Sequence, residues 1–304
     1  MTQTLIIATR KSPLALYQAE HIKQLLLAHD SSLHIQLLPI TTSADLHEKP
    51  LAHIGGKHLF VTELQQHLID GRADIAVHSV KDLGTRQNIP TTLIATPKRA
   101  DARDVLLCRQ KKGWFDLPNG AIIGTSSPRR CGQLRYHQKH LTVRDIRGNI
   151  GTRIAKLNAG EYDAIVLAAA GLERLALNPP NQHIFPIDTL LPAIGQGAIG
   201  IECHSNNKSL HTLCKAINHE DTWWAVTAER AVNTELGGSC FSPIAAHATV
   251  DRSTLVLTAR VTAIDGSCQF TTQASGRKTD AQRIGITAAK KLIDLGAAPY
   301  IHHI

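Results

Sequence analysis

Short apolar runs rich in β-branched residues alternate with amphipathic stretches over the first two thirds of this 304-residue chain. Apolar residues at helical spacing predict helices at 14–29 and 59–69 and around 129–139 and 150–159. Strand-like runs separate them at 4–9, 33–40, 73–79, 104–108, 121–126, 141–146 and 163–169. Because strands this apolar must be covered on both faces, the alternation predicts α/β sheets with helices on either side.

The pattern changes after Gly195. A strand at 197–203 and a helix at 222–236 are followed by three strand-like runs and one helix at 279–295, which predicts a small α+β domain. No long linker or repeat separates these parts, so we place the joints near 97–101, 195–198 and 217–221. The predicted domains are 1–97 with 198–217, 98–197, and 218–304.

Composition excludes several classes of protein. With 43% hydrophobic and 19% charged residues the chain can bury two or three cores, so it is neither disordered nor a disulfide-stapled miniprotein. Its longest apolar stretch, at 164–172, has about half of the ~20 residues that a membrane span needs. The N-terminal apolar run is too short for a secretory signal, and the six cysteines are scattered without a CxxC pair. We therefore expect a cytoplasmic protein with reduced thiols.

The densest chemical signal is a group of six arginines within 25 residues: Arg129, Arg130, Arg135, Arg144, Arg147 and Arg153. GTSSPRR at 124–130 follows a predicted strand and opens a predicted helix, where we expect free backbone N–H groups from Thr125 to Ser127 to favour an anion. An arginine guanidinium binds a carboxylate through two parallel hydrogen bonds. The formal net charge of +8 also favours an anionic partner. A solvated basic surface is the alternative, but the position at strand ends favours a ligand site.

Two further motifs place polar side chains just after strands. HSVKDLG at 78–84 brings Lys81 and Asp82 to a strand end, where a carboxylate can hold a proton or stabilise a cation. A helix-capping aspartate is an equally good interpretation of this motif alone. In ATRKSPLAL at 8–16, Ser12 is predicted to cap a helix that starts with Pro13, which leaves Arg10 in the loop as a candidate ligand contact.

Among the thiols, GGSC at 237–240 places Cys240 in a glycine-bearing loop, and we expect it to be the accessible one. The alternative for Cys240 is an ordinary buried cysteine. Cys108 and Cys203 lie in apolar strand-like runs and are predicted to be inert core thiols.

Two tempting motifs are set aside. Gly195, Gly197 and Gly200 spell GxGxxG, but β-type residues follow them, whereas dinucleotide binding requires a strand before and a helix after. We expect these glycines to form a hinge. The seventeen histidines show no metal-ligand spacing, so no metal is expected.

Taken together, the motifs closely resemble those of the porphobilinogen deaminase family, in the same order over nearly the whole chain. They are ATRKSPLAL, GGKHLF at 55–60, ADIAVHSVKD at 73–82, GTSSPRR, RGNIGTR at 147–153, GEYDAIVLAAAGLERL at 160–175, LPAIGQGAIGIEC at 191–203 and AERAVNTELGGSC at 228–240. The resemblance implies two α/β domains like those of type II periplasmic binding proteins around a cleft, plus a small C-terminal α+β domain.

The resemblance also implies a role for individual residues. Cys240 would carry a dipyrromethane cofactor through a thioether, and Asp82 would be the catalytic aspartate. The residues implied to bind the cofactor are Lys81, Asp82, Thr125, Ser127, Arg129, Arg130, Arg147 and Gly148. Those implied to bind substrate are Arg10, Ser12, Lys57, Arg147, Arg153, Arg174 and Gln196.

The implied activity is that of a transferase in tetrapyrrole (porphyrin and haem) biosynthesis. It would deaminate four porphobilinogen molecules, join them head to tail on the dipyrromethane primer and release hydroxymethylbilane. The extended chain would carry about twelve carboxylates, whose mutual repulsion an arginine-lined cleft offsets. We expect a monomer whose partner is this small substrate, with no nucleic acid and no membrane.

The sequence departs from the family pattern at several positions, and rival functions stay open. His58 stands where a glycine is usual, Leu83 and Gly84 replace a Val-Pro pair, TSAD at 42–45 lacks an arginine, and Ser239 and Phe241 flank Cys240. A non-catalytic solute-binding module of the same architecture is the main rival. Nucleic-acid binding ranks last, because stacking aromatics make up only 4% of the chain.

Overall fold

The computed structural model describes residues 4–42, 61–84, 90–110, 113–239 and 241–301 of the chain. These residues form two compact units. The first comprises Met1–Ala100 and Ala198–Trp223, and the second comprises Asp101–Gly197 and Trp224–Ile304. Each unit is built around a five-stranded mixed sheet, and the second unit holds an additional three-stranded sheet.

The first unit has the strand order β2-β1-β3-β10-β4. These strands span His34–Ile40 (β2), Thr4–Arg10 (β1), Ile75–Ser79 (β3), Ile199–His204 (β10) and Thr91–Ala95 (β4). β1 is parallel to both β2 and β3, whereas β10 is antiparallel to β3 and β4. The C-terminal ends of three parallel strands therefore lie at one edge of this sheet, beside the N-terminal end of β10.

Helices α1 (Pro13–His29), α2 (Thr62–Ile69) and α6 (Lys208–Lys215) belong to this unit. α1 buries Ile22 and Leu26 against Ile7 and Ile75 of the sheet, and α2 covers a second apolar cluster. Burying such side chains supplies the main stabilisation, about 25 cal/mol per Å² of apolar surface removed from water.

The central strands of this sheet also carry a buried polar cluster. His78 of β3 lies with its Nε2 3.2 Å from Oε2 of Glu202 in β10. Oε1 of Glu202 accepts hydrogen bonds from Gln65 at 2.9 Å and Thr91 at 2.7 Å. Burial opposes the charged form of Glu202, but the bonds from His78, Thr91 and Gln65 outweigh it and lower its pKa. This polar cluster joins β3 to the neighbouring strand β10 just before β3 ends.

The second unit has the strand order β7-β6-β8-β5-β9. These strands span Thr142–Arg144 (β7), Ile122–Gly124 (β6), Ala164–Ala168 (β8), Asp104–Cys108 (β5) and Gln182–Ile184 (β9). β6 is parallel to β7 and β8, and β5 runs antiparallel between β8 and β9. Helices α3 (Pro128–His137), α4 (Ile150–Asn158) and α5 (Ala169–Arg174) follow β6, β7 and β8.

The C-terminal part of this unit is an antiparallel sheet with helices on one side. Its strands are β11 (Ile244–Asp251), β12 (Thr254–Thr262) and β13 (Gln269–Arg277), in that order. α8 (Ala281–Asp294) and the longer α7 (Glu220–Glu235) share one apolar core with the sheet, which includes Leu257, Val232 and Leu292. The carboxylate of Glu229, fully buried, accepts hydrogen bonds from the N–H groups of Gly195 and Ala248.

The predicted α/β class with a smaller C-terminal α+β part is confirmed by these sheets. The predicted strand at 104–108 has the observed bounds, and most other predicted elements agree to within a few residues. The predicted helix at 59–69 begins at Thr62 within the described residues. β4, β9, α5 and α6 were not predicted; both missed strands lie at sheet edges, where the residues are less apolar.

Other predictions concern the turn after Gly195. Gly195 and Gly197 have φ of +68° and +85°, and the strand β10 follows them, which confirms that the GxGxxG sequence is no dinucleotide-binding motif. The chain passes from the second unit back to the first between Gly197 and Ala198.

Candidate active site

The predicted catalytic residue lies at the C-terminal edge of the sheet in the first unit. Asp82 is the last residue of a 3-10 turn, Val80–Asp82, that directly follows β3. The carboxylate of Asp82 is half-buried and makes no hydrogen bond or ion pair within the described residues. Asp82 is not the residue that caps the turn, because Ser79 occupies that position. The capping interpretation of Asp82 is therefore wrong, and no described residue pairs with its carboxylate.

Three other predicted residues lie at the same edge. Lys81 precedes Asp82 and is half-buried. Arg10 ends β1, two residues after Ala8, which pairs with Ala76 of the parallel strand β3. Ser12 caps α1, since its Oγ accepts a hydrogen bond from the N–H of Ala15 at 3.3 Å, as predicted. One sheet edge thus holds Arg10, Ser12, Lys81 and Asp82, and the carboxylate of Asp82 has no partner among the described residues.

The C-terminal edge of the parallel strands in the second unit holds the arginine-rich motif. Ser127 caps α3 through its Oγ, which accepts from the N–H of Arg130 at 3.5 Å. The expectation of free N–H groups from Thr125 to Ser127 is wrong at two positions. The N–H of Thr125 donates to the carbonyl of Arg144 at 3.0 Å, and that of Ser127 donates to Oγ1 of Thr125 at 3.3 Å. These bonds hold the loop rigid instead of leaving its donors open.

Arg129 and Arg130 do not form a solvated basic surface. Their side chains are 4% and 8% exposed and converge on Asp104, which is 0% exposed and begins β5. Nη1 of Arg129 lies 2.7 Å from Oδ2 of Asp104, and Nη2 and Nε of Arg130 lie 2.7 and 3.1 Å from Oδ1. The alternative of a solvated charge cluster is therefore wrong for this pair.

Electrostatics within this cluster favour the ionised carboxylate. Burial alone would raise the pKa of the Asp104 carboxyl, but the guanidinium groups of Arg129 and Arg130 outweigh it and hold that pKa well below its ordinary range. Two positive charges face one negative charge, so the cluster keeps a net positive charge. Nε of Arg129 is buried and has no hydrogen-bond partner within the described part of the chain, so this group retains a donor for a ligand.

Gln196 and Arg174 are also placed at this edge by hydrogen bonds. Nε2 of Gln196 donates to Oδ1 of Asp104 at 2.9 Å and to the carbonyl of Ala102 at 2.6 Å. Nη2 of Arg174 donates to the carbonyl of Gly197 at 2.7 Å. Asp104 therefore gathers three of the predicted binding residues. The only sequence signal for it was a charged residue at the head of the apolar run DVLLC.

The remaining arginines of the motif have different environments. Arg135 donates to the carbonyl of Ile264, Arg144 lies over the ring of Tyr162, and Arg153 donates to the carbonyl of Gly148. The guanidinium of Arg147, by contrast, has no partner within the described residues and is half-buried. Arg147 is therefore the member of the cluster best prepared to receive a carboxylate from outside the protein.

Gly148 follows Arg147 with φ of +109°, a backbone conformation that favours glycine. A Cβ at this position would lie 2.6 Å from Cγ2 of Thr152, so the close packing also requires glycine. Asn149 then caps α4, because its Oδ1 accepts from the N–H of Thr152 at 2.9 Å. Parallel β6 and β7 thus point the N-termini of two capped helices, α3 and α4, to one edge, where their dipoles favour an anion.

The thiols that are described do not compete with Cys240. Cys108 and Cys203 are buried, and burial raises the pKa of each to about 11, which confirms both as inert core thiols. Cys131 and Cys268 are half-buried, so the expectation that a single thiol is accessible is wrong for the described cysteines. Cys240, Lys57 and His58 lie outside the described residues. No group of three or more metal-ligating side chains occurs in the described ranges.

The fold and these two edges define a class: an α/β protein with a carboxylate at one sheet edge that has no partner among the described residues, and a group of arginines at the edge of another sheet. Two family models match the chain. "Porphobilinogen deaminase, dipyromethane cofactor binding domain" covers residues 5–212, and "Porphobilinogen deaminase, C-terminal domain" covers 223–294. The chain belongs to the porphobilinogen deaminase family.

Individual relatives agree with this assignment. Porphobilinogen deaminase from Coxiella burnetii strain Dugway 5J108-111 is 47% identical over 295 residues, which cover 97% of this chain and 95% of the relative. The protein of the same name from strain RSA 493 is 46% identical over the same coverage.

Solved structures with a similar fold are more distant. The periplasmic VFT2 domain of BvgS from Bordetella pertussis has a TM-score of 0.44 and 13% identity, over 70% of this chain and 86% of that one. The aliphatic sulphonate binding protein SsuA from Escherichia coli has a TM-score of 0.43 and 13% identity, over 77% and 70%. At this level of similarity neither structure bears on the function.

The family model implies a dipyrromethane, whose rings carry carboxylate side chains. The residues at the second unit's edge fit such a group. Arg147 offers an unpaired guanidinium, Arg129 offers a buried Nε without a partner within the described residues, and the N-termini of α3 and α4 add their dipoles. Planar guanidinium donors are suited to carboxylates, so the donor set matches the chemistry of the cofactor.

Proposed function

We propose that this chain is a transferase of tetrapyrrole synthesis that deaminates porphobilinogen and joins four such molecules on a covalently held dipyrromethane, releasing hydroxymethylbilane. The observation that carries the mechanism is Asp82, a half-buried carboxylate at a strand end with no partner among the described residues. When bound, the dipyrromethane supplies the pyrrole carbon to which the first substrate ring is joined.

Asp82 would act on the leaving amine and on the positive charge that follows its loss. Ammonia leaves the aminomethyl group of porphobilinogen more easily when a positioned acid keeps the amine protonated. Its departure leaves the pyrrole electron-poor, and the Asp82 carboxylate, which is left ionised once its proton has passed to the leaving amine, stabilises the cation as it forms. Partial burial strengthens this interaction, because the effective dielectric constant falls away from bulk water.

The cationic residues would hold the carboxylates of the substrate and of the growing chain. We assign Arg147, Thr125, Ser127, Gly148 and the Arg129–Arg130 pair to the cofactor end, together with Lys81 and Asp82. Arg10, Ser12, Lys57, Arg153, Arg174 and Gln196, with Arg147, would contact substrate. Each added ring brings one acetate and one propionate, so fixed guanidinium groups offset a repulsion that grows with every round.

The rival functions are less well supported. A pure solute-binding module has no need of an unpartnered carboxylate beside its cations, and Asp82 argues against it. Nucleic-acid binding needs many exposed cations, whereas Arg129 and Arg130 are buried and pair with Asp104.

We also propose that the protein is a cytoplasmic monomer with three domains, which are 1–97 with 198–217, 98–197, and 218–304. No helix in the described ranges is both long and apolar enough to cross a membrane. The five cysteines described are all free, as is typical of a reducing compartment. Light scattering on the purified protein tests the monomer, and limited proteolysis tests the third domain.

Replacement of Asp82 tests the proposed mechanism. Asp82→Asn should preserve the circular dichroism spectrum and the melting temperature, because the carboxylate has no partner to lose among the described residues. Turnover of porphobilinogen should fall by about 10²–10⁴, the usual contribution of a positioned acid or base. Asp70→Asn, which changes an exposed carboxylate of the same unit, is the matched control and should keep full turnover. Near-normal turnover by Asp82→Asn would refute the role of Asp82.

Intact mass spectrometry tests the attachment site. The wild-type protein should be heavier than its sequence by roughly 420 Da, the mass of two linked rings, and should gain ring-sized steps with porphobilinogen. Cys240→Ser should lack this mass, whereas Cys131→Ser and Cys268→Ser should retain it. A wild-type protein without added mass, even after incubation with substrate, would favour the solute-binding alternative, and retention of the mass by Cys240→Ser would exclude Cys240.

A further inference from the structure

The backbone just before Arg147 is held by three hydrogen bonds from outside its own strand. The carbonyl of Arg144 accepts from the N–H of Thr125 at 3.0 Å. The carbonyl of Asp145 accepts from the hydroxyl of Tyr162 at 2.5 Å, and that of Ile146 accepts from the Oγ of Ser126 at 2.9 Å. Three successive carbonyls are thus fixed by two neighbouring segments of the same sheet.

Ser126 makes the most complete of these contacts. Its Oγ donates to the carbonyl of Ile146 and also accepts from the N–H of Ile146 at 3.1 Å. One hydroxyl therefore satisfies both backbone polar groups of a residue whose side chain is buried. Since Ser126 lies in the loop after β6 and Ile146 in the loop after β7, the pair joins the two loops that carry the cofactor-end residues.

The backbone on the other side of Arg147 is fixed as well. Nε of Arg153 donates to the carbonyl of Gly148 at 2.8 Å, and Asn149 caps α4. The guanidinium of Arg147 itself has no partner within the described residues, so no side-chain contact in that part of the protein orients it. The hydrogen bonds on both sides therefore fix the backbone position from which the side chain of Arg147 extends.

We propose that Ser126 is a positioning residue for Arg147, which holds that guanidinium where a carboxylate of the porphobilinogen-derived ligand binds. The inference rests on the proposed function, because it takes the ligand of Arg147 from there. A group that holds the same carboxylate before and during the reaction contributes equal binding to both states. Loss of its positioning therefore raises KM and leaves kcat nearly unchanged.

Steady-state kinetics with Ser126→Ala test this inference, once turnover by the wild-type enzyme has established the activity. We expect KM for porphobilinogen to rise by about tenfold, because the variant loses binding free energy equal to about one hydrogen bond. The kcat value should stay within about twofold of the wild type. Ser126→Thr keeps the hydroxyl and should restore most of the wild-type KM. Hydrogen exchange of the peptide 142–150 should speed up in Ser126→Ala and return towards the wild-type rate in Ser126→Thr.

A double-mutant cycle separates positioning from general structural support. In an Arg147→Ala background, Ser126→Ala should change KM by less than about twofold, because the group that it positions is gone. An equal change of KM in both backgrounds, or faster exchange of 142–150 without any change of KM, would overturn the inference. Should Ser126→Ala not fold, Tyr162→Phe removes the neighbouring clamp on Asp145 and is expected to raise KM with the same dependence on Arg147. Absence of turnover by the wild-type enzyme would instead count against the proposed function.

Discussion

Asp104 holds the binding edge of the second unit together, and its charge can be removed with almost no change of shape. Asp104→Asn keeps the size of the side chain but deletes the anion that faces Arg129 and Arg130. Both guanidinium groups are almost fully buried and would be left without a counter-charge. Breaking a buried ion pair by removing one partner costs about 3–5 kcal/mol of unfolding free energy, and we expect a loss in this range.

Urea unfolding followed by circular dichroism measures the loss, and a thermal scan should show a drop of roughly 10 °C. Hydrogen exchange should localise it to β5 and α3, the elements that carry the three charges. Asp101→Asn is the matched control, because the Asp101–Arg103 pair is 30% and 42% exposed and such pairs contribute about 0–1 kcal/mol. If Asp104→Asn loses no more stability than Asp101→Asn, the buried cluster does not stabilise the fold as argued.

The same comparison has a definite dependence on pH. Because the pKa of Asp104 is held below its ordinary value, the stabilising charge is fully present above the pKa that this residue has when unfolded, about 3.9. The contribution is lost as the pH falls from there through the depressed pKa of the folded state. The wild type should therefore exceed Asp104→Asn by a constant amount near neutral pH, and the difference should shrink only below about pH 4. A gap that closes near neutral pH would show that another group causes it.

Two further predictions concern the glycine beside Arg147 and the buried thiols. Gly148→Ala forces a side chain into a left-handed conformation and against Thr152, so it should destabilise the protein. Gly120→Ala is the control and should destabilise it less, because its φ is also positive, at +78°, but its Cβ meets nothing within 4 Å. Equal urea midpoints for the two variants would contradict the clash. Iodoacetamide at pH 8 should leave Cys108, Cys203 and Cys214 unmodified in the folded protein, because burial raises their pKa values to about 11, 11 and 12. Peptide mass mapping that finds any of these three labelled before the half-buried Cys268 would contradict this prediction.

Local patterns in the sequence were sufficient to predict the fold class of the chain. The run DVLLC is entirely apolar after its first residue and became β5 with the predicted bounds, buried between β8 and β9. β4 and β9, by contrast, end their sheets at one side and are only partly buried, so neither needs a continuous apolar run to be stable. β2 and β7 also lie at sheet edges, yet the runs at 33–40 and 141–146 predicted them, so an edge position does not by itself hide a strand from such a pattern.

The site was predictable only in part, because sequence names the charged residues but not their partners. GTSSPRR and RGNIGTR suggested an array of equivalent arginines, yet contacts between distant segments divide it. Asp104 lies 25 positions before Arg129 in the sequence and binds both Arg129 and Arg130, whereas Arg147 keeps an open guanidinium. No local spacing encodes this difference, since it arises from the order of strands in the sheet. Arg129 and Arg130, which share the charge of Asp104, can shape an anion site from the protein interior. Arg147, which has no partner among the described residues, can bind the anion directly, so the strand order assigns two roles among residues of identical chemistry.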